Sequence, residues 1–143
     1  MKIKLKRLSK HAKMPTYGTK GAGALDLYAV EDVTFHTDDV KAIRSGWIFE
    51  IPEGYYVEVV PRSGLSIKNE FIMFNSPGVV DSDYRGEIYV YFKFIKKDSV
   101  FSIKRGKRFA QMMLKKKINV EFEEVEELSE TDRGSGGFGS TGA

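Results

Sequence analysis

The sequence predicts an all-β protein, a jelly-roll-like β-sandwich with one short helix and a flexible Gly-rich C-terminal tail. Apolar residues recur with period two in many short runs, Pro and Gly turn chemistry separates the runs, and a single segment carries a plausible helix. Alternation of this kind puts one face of each strand toward a core and the other toward water.

The elements follow in chain order. Ile3-Lys4-Leu5-Lys6 alternates apolar and charged residues, as do Trp47-Ile48-Phe49-Glu50-Ile51 and Tyr55-Tyr56-Val57-Glu58-Val59, and each reads as a strand. Ser63 to Glu70 is the helix, with a Ser ahead of Leu65 and Ile67. Ile88 to Ile95, rich in aromatic and β-branched residues, resumes the strand rhythm, and Val100 to Ile103, Phe109 to Leu114 and Val120 to Val125 continue it. Turns are marked by Pro52-Glu53-Gly54, Ser76-Pro77-Gly78, Arg85-Gly86 and Arg105-Gly106, where Pro presets φ and Gly permits positive φ. Arg44-Ser45-Gly46 reads as a turn running into a strand, and Asn75 to Glu87 as a hairpin.

With 143 residues, 41% of them hydrophobic, the chain has the means for one core and little room for two. The expected division is a β domain over 1–128 and a tail over 129–143, because from Ser129 the composition turns to Ser, Thr, Gly and charge and lacks the apolar surface to hold itself folded. No stretch has the length of a membrane span, and the basic N-terminus has no apolar signal core behind it, so a cytoplasmic or nuclear location is expected, without a membrane partner.

The absence of Cys removes disulfides, thiolate zinc sites and Cys nucleophiles, and His11 and His36 are too few and too far apart for a His-based centre. Catalysis, if any, rests on carboxylates. A net charge of +3 is too small to advertise a dedicated nucleic-acid binder, and Lys115-Lys116-Lys117 reads as a solvated face; a polyanionic metabolite needs only local positive charge.

The tail contains two decoys. Gly134, Gly136 and Gly139 spell G-x-G-x-x-G, but no helix can follow in the four residues that remain, and the P-loop reading lacks both its Lys and its helix. The composition suits a lid instead: Gly-rich backbone that can curl around anionic oxygens, Arg133 to fork onto a phosphate, hydroxyls at Ser140 and Thr141, and Phe138 to stack on a base; a disordered terminus with an incidental Phe is equally consistent with the tail alone. Pro61-Arg62-Ser63-Gly64-Leu65-Ser66 adds a phosphate donor, a hydroxyl and a permissive Gly at a strand-to-helix junction.

Taken together these residues resemble the trimeric dUTPase family. The segments are Ala22 to Leu27, Pro61 to Ser66, Gly78 to Glu87, Gly106-Lys107-Arg108-Phe109-Ala110-Gln111 and Arg133 to Gly142, in that order over nearly the whole chain. Phe109 stands where a smaller aliphatic residue is usual and Lys107 where an acid is frequent.

The resemblance implies a homotrimer with sites shared between subunits, and hydrolysis of dUTP to dUMP and pyrophosphate with Mg2+ held mainly by the triphosphate and water. Such a reaction limits uracil incorporation into DNA and supplies dUMP for thymidylate synthesis. By resemblance, Asp81 is the general base and Tyr84 packs under the deoxyribose, excluding a 2′-hydroxyl. Backbone around Gly78, Val79 and Val80, with Asn75, reads the uracil edge, and Tyr89 makes a weaker contact nearby. Arg62, Ser63, Gly64 and Gln111 face the phosphates, Asp26 steadies Arg62 or the metal's water shell, and Arg133, Phe138, Gly139, Ser140 and Thr141 close last. Arg108 and Asp83 are expected to be structural. The competing expectations are a dCTP deaminase on the same fold and a non-catalytic nucleotide-gated binder; specific nucleic-acid binding is not expected.

Overall fold

The computed structural model describes residues 1–137. Two sheets face each other. One has the order β1-β5-β9-β7, from β1 (Lys4–Arg7), β5 (Val40–Glu50), β9 (Glu87–Phe94) and β7 (Phe71–Met73). The other runs β2-β3-β11-β6-β8, from β2 (Thr16–Tyr17), β3 (Leu25–Tyr28), β11 (Arg108–Lys116), β6 (Tyr55–Pro61) and β8 (Gly78–Val80). A two-stranded ribbon of β4 (Val33–His36) and β10 (Val100–Ile103) completes the strands, every pair is antiparallel, and α1 (Ser63–Asn69) is the one helix among the described residues. This is the jelly-roll-like all-β fold that the alternation predicts.

The pleat does what the sequence pattern asks. Along β9, Ile88, Val90, Phe92 and Phe94 are buried while Tyr89 and Tyr91 face outward. Phe71 knits the core, edge-on to Phe35 at 4.9 Å and tilted against Phe94 at 4.9 Å. Phe109 is fully buried where the register of β11 against β3 slips between Arg108 and Ala110.

Four local expectations are corrected. Val120 to Val125 is no strand: β11 ends at Lys116, and the alternating Glu residues that follow find no strand edge, leaving Val120 and Phe122 exposed. Asn75 to Glu87 is no hairpin, because β8 pairs with β6 and β9 with β5 and β7, so the segment crosses from one sheet to the other. Arg44-Ser45-Gly46 is no turn but the interior of β5, at a register shift against β9. Gly46 has φ +74°, and a Cβ there would lie 2.7 Å from the Ala12 Cβ, so the bulge needs both its backbone freedom and its missing side chain. At α1, Arg62 and not Ser63 is the capping position, and no side chain bonds the free N–H groups. Beyond β11 the chain is irregular to residue 137, with a turn at 132–135.

Candidate active site

The crossing from β8 to β9 builds a cavity of about 200 Å³. Asn75, Gly78, Val79, Val80, Asp81, Tyr84 and Tyr89 all line it, seven of the residues singled out from the sequence. Gly78 belongs there for a steric reason: a Cβ would come 3.2 Å from Asn75 Nδ2 and 3.3 Å from its carbonyl oxygen. β8 is the last strand of its sheet, so beyond its pairing with β6 it has an edge of backbone groups free of ladder bonds.

The Asp81 to Tyr84 turn closes with the Tyr84 N–H donating to the Asp81 carbonyl at 3.2 Å. The Tyr84 hydroxyl donates to the Glu87 carbonyl, also at 3.2 Å, and its ring lies over Gly86, where a Cβ would come 2.2 Å from that hydroxyl. Glu87 was not singled out beforehand, yet it pins the end of the loop. Its carboxylate accepts from the Gly46 N–H at 2.8 Å and from Arg44 Nε at 2.9 Å, joining the loop to the bulge in β5. That bond and charge raise the Arg44 pKa above its ordinary value.

A second cluster forms on the row where Gln111 of β11 lies between Asp26 of β3 and Val60 of β6. Asp26 is 2% exposed and serves two guanidiniums: Arg62 Nε lies 3.0 Å from Oδ1, and Arg108 donates to Oδ2 at 3.2 Å. The Arg62 contact is an ion pair without hydrogen-bond alignment, since neither Oδ1 nor Nε has a well-directed partner. Arg108, expected to be merely structural, is half of this clamp. Its signal was present in the chain, one position after Lys107 in the Gly106 to Gln111 segment, but spacing alone does not reveal a shared carboxylate 82 residues away. Ser63 and Gly64 are exposed on the first turn of α1, beside Arg62.

The two clusters do not share a cavity. The first is lined by none of Arg62, Ser63, Gly64 and Gln111; Arg62, Gly64 and Arg108 line another, of about 280 Å³. Arg133 is exposed in the 132–135 turn and donates from Nε to the Gly136 carbonyl at 2.9 Å, away from both clusters' hydrogen bonds. Phe138, Gly139, Ser140 and Thr141 lie outside the described residues. Asp83 is exposed and lines a third cavity on the far side of the Asp81 loop. Among the described residues no three His, Cys, Asp or Glu side chains group closely enough to hold a metal ion, and no helix is long and apolar enough to cross a membrane.

Comparison with known proteins converges on one family. A family model for dUTPase matches residues 10–142. The deoxyuridine 5'-triphosphate nucleotidohydrolase of Nautilia profundicola is 46% identical over 142 residues, 99% of each chain. That of Helicobacter pylori strain P12 is 44% identical over 142 residues, 99% of this chain and 97% of its own. Among solved structures, a Staphylococcus bacteriophage 80alpha dUTPase with dUPNHPP is similar at TM-score 0.87 and 27% identity, over 99% of both chains. A mutant dUTPase from phage phi11 of S. aureus, described for the coordination of a structural Mg(II) ion, is similar at TM-score 0.80 over 91% of this chain and 100% of its own; at 22% identity it speaks for the fold alone.

Proposed function

The chain belongs to the dUTPase family and hydrolyses dUTP, and we propose that it does so by in-line attack of water on the α-phosphorus, in sites shared between copies of the chain. The observation that carries this is the convergence of Asp81, Tyr84 and the free edge of β8 on one cavity.

Uracil presents one N–H between two carbonyl oxygens, a pattern that the alternating C=O and N–H groups of a strand edge can match. Gly78 to Val80 supply that edge and Asn75 an amide beside it. Cytosine reverses part of the pattern and would leave a buried group unpaired. The Tyr84 ring, braced by its bond to the Glu87 carbonyl, takes the room that a 2′-hydroxyl would need. Asp81 accepts the proton of the attacking water as its oxygen bonds the α-phosphorus; the bond to the bridging oxygen breaks and pyrophosphate leaves with that electron pair. Arg62, Ser63, Gly64 and Gln111 face the phosphates, where donors fixed in advance stabilise the growing negative charge. Asp26 holds Arg62 and Arg108 side by side for that task.

Magnesium would supply positive charge to the triphosphate, held mainly by its oxygens and by water. A hard ion there would keep most of its water, and the steps above need only the chain's own groups. Arg133 and the tail beyond it close over the bound nucleotide and exclude water. The natural compartment for this activity is one that holds deoxynucleotide pools, the cytoplasm or a nucleus.

The sharing of sites rests on the separate cavities for the two clusters and on the exposed apolar residues of the chain, Ile67, Phe74, Ile118 and Phe122 among them. A cyclic trimer sets the base cavity of one copy against the Arg62 cluster of the next.

Pyrophosphate release from dUTP, dTTP, dCTP and UTP with Mg2+ tests the reading. Release confined to dUTP, and abolished in Asp81→Asn with nucleotide binding retained, is expected. Ammonia from dCTP would make the chain a deaminase; binding of dUTP without turnover would make it a regulatory binder. For the sharing, Asp81→Asn and Arg62→Ala proteins, each inactive, are unfolded and refolded together. Random trimers regain about a quarter of wild-type activity if every site takes Asp81 and Arg62 from different copies. No recovery would place both on one chain's site.

A further inference from the structure

The cavity that Arg62 shares with Arg108 extends past the residues assigned to dUTP. Between α1 and the turn joining β10 to β11 it is also lined by Lys104 and Lys107, over an apolar floor that includes Leu65, Phe101 and Ile103, and no carboxylate lines it. The charges are not balanced locally. One carboxylate, Asp26, serves both Arg62 and Arg108, and Lys104 pairs with Asp32 at 3.0 Å. Lys107 has no carboxylate within ion-pair distance among the described residues, so the cavity carries a surplus of about two positive charges. Apolar walls around a concentrated charge focus its field on an entering anion. The turn is held in shape: the Asp32 carboxylate accepts from the Arg105 N–H at 2.8 Å, and the Lys107 N–H donates to the Lys104 carbonyl at 3.0 Å. Lys107 thus stands on a fixed turn and faces the same cavity as the guanidinium assigned to the substrate's phosphates.

We propose that this cavity is a binding site for inorganic pyrophosphate, the leaving group, and that Lys107 is its distinguishing residue. The inference rests on the proposed reaction. Arg62 touches the phosphate chain on one side and lines the cavity on the other, so pyrophosphate freed from the α-phosphorus moves outward along a gradient of positive charge without first meeting bulk water. dUMP, which keeps only the α-phosphate, has no part that reaches Lys107. The cavity therefore separates the two products by charge, and its occupation by pyrophosphate at high product concentration slows the next turnover by competing with the substrate's outer phosphates.

The test is product inhibition of the full-length protein. Inorganic pyrophosphate and dUMP are each titrated as inhibitors of dUTP hydrolysis, for wild type, Lys107→Ala, Lys107→Glu and, as an equal change in net charge elsewhere, Lys97→Glu. Loss of one unit charge about 4 Å from the ligand predicts an inhibition constant for pyrophosphate about fivefold higher in Lys107→Ala, and more than about tenfold higher in Lys107→Glu. The dUMP constant stays within twofold, Lys97→Glu matches wild type, and the effect shrinks as salt rises. Calorimetric titration of pyrophosphate into nucleotide-free protein gives the same order of affinities without using turnover. Equal pyrophosphate affinity in wild type and Lys107→Glu overturns the inference while leaving the reaction standing. Displacement of pyrophosphate by duplex DNA at physiological salt would reassign the cavity to nucleic acid and overturn it as well. Wild-type protein that releases no pyrophosphate from dUTP would instead bring down the proposed reaction.

Discussion

Replacing Gly86 with Ala drives a methyl group into the ring assigned to sugar selection. An ideal Cβ at that position lies 2.2 Å from the Tyr84 hydroxyl oxygen, 2.4 Å from Cζ and 2.9 Å from Cε2. Non-bonded carbons settle at about 3.5 to 4.0 Å, so the ring must withdraw by roughly 1 Å or more. Tyr84 is 41% exposed and has solvent to move into, so the fold loses little beyond the hydrogen bond to the Glu87 carbonyl, about 1 kcal/mol. In a chain of this length that lowers Tm by about 3 °C. The catalytic effect is expected to be far larger than the thermal one, because a displacement of 1 Å in a positioning group can cost on the order of 100-fold. It is also expected to be selective: with the ring withdrawn, UTP finds room for its 2′-hydroxyl, and the ratio of kcat/KM for dUTP over UTP falls. Steady-state kinetics on both nucleotides, beside a thermal melt, measures all three quantities. A variant that shows the thermal loss, and so has broken the ring's bond to the Glu87 carbonyl, yet keeps its dUTP/UTP ratio would refute the role given to Tyr84.

Two further substitutions separate charge from shape. Asp26→Asn leaves two guanidiniums beside a neutral amide; breaking a buried pair costs about 3 to 5 kcal/mol, and with Arg62 and Arg108 at 26% and 48% side-chain exposure the expected loss is about 2 kcal/mol, read as a lower denaturant midpoint, together with a raised KM for dUTP. Asp39 accepts from the His36 N–H and, next in weight, from Lys41, which hold its pKa at about 2. A carboxylate depressed in the folded state stabilises above its unfolded value and loses that contribution as pH falls through the folded one. Melting of wild type and Asp39→Asn should therefore differ at neutral pH and converge between pH 4 and 2, and a constant difference down to pH 2 would contradict the assignment.

What the sequence made legible follows from how local each signal is. β10 is found at its residues because Val100 to Ile103 is a short β-branched and aromatic run between two turns, and α1 within one residue because its short apolar spacing follows a strand that ends in Pro61. The segment from Ala22 to Leu27 is legible only as a family-like stretch, and β3 within it is not, because Leu25–Tyr28 is a run of four residues whose one polar member, Asp26, is buried against two arginines rather than turned to water. Val120 to Val125 erred the other way: it has the alternation but no partner strand, and periodicity does not report whether an edge is there to pair with. The Asn75 to Glu87 segment carried the right residues under the wrong topology, since a turn between two strands looks the same in sequence whether it closes a hairpin or changes sheet. For the site, the turn chemistry of Asn75 to Glu87 reads as ordinary by itself, and it is the resemblance to a family, carried by the order of five segments, that gathers the lining of the first cavity. The partners of Asp26 and Glu87 were beyond reach, since those contacts span 36, 82 and 43 residues and depend on the registers of β3 against β11 and β5 against β9.

The change of sheet at Asp81 to Glu87 is what the proposed chemistry depends on. A hairpin would pair β8 on both sides and consume the backbone groups that a base has to meet; by leaving for the other sheet, the chain keeps β8 as an edge. An exposed edge is an aggregation hazard, and here it is short, three residues, and lies against a loop that folds a tyrosine and an aspartate over it. β6 carries the consequence onward. Val57, Glu58 and Val59 hold β8 in place, and three residues beyond Val59 the same run of chain delivers Arg62 to Asp26. One strand thus fixes the spacing between the cavity assigned to the base and the cluster assigned to the phosphates, about 10 Å along its length. Because the two open into separate cavities, that spacing is the constraint that the proposed sharing of sites between copies has to satisfy.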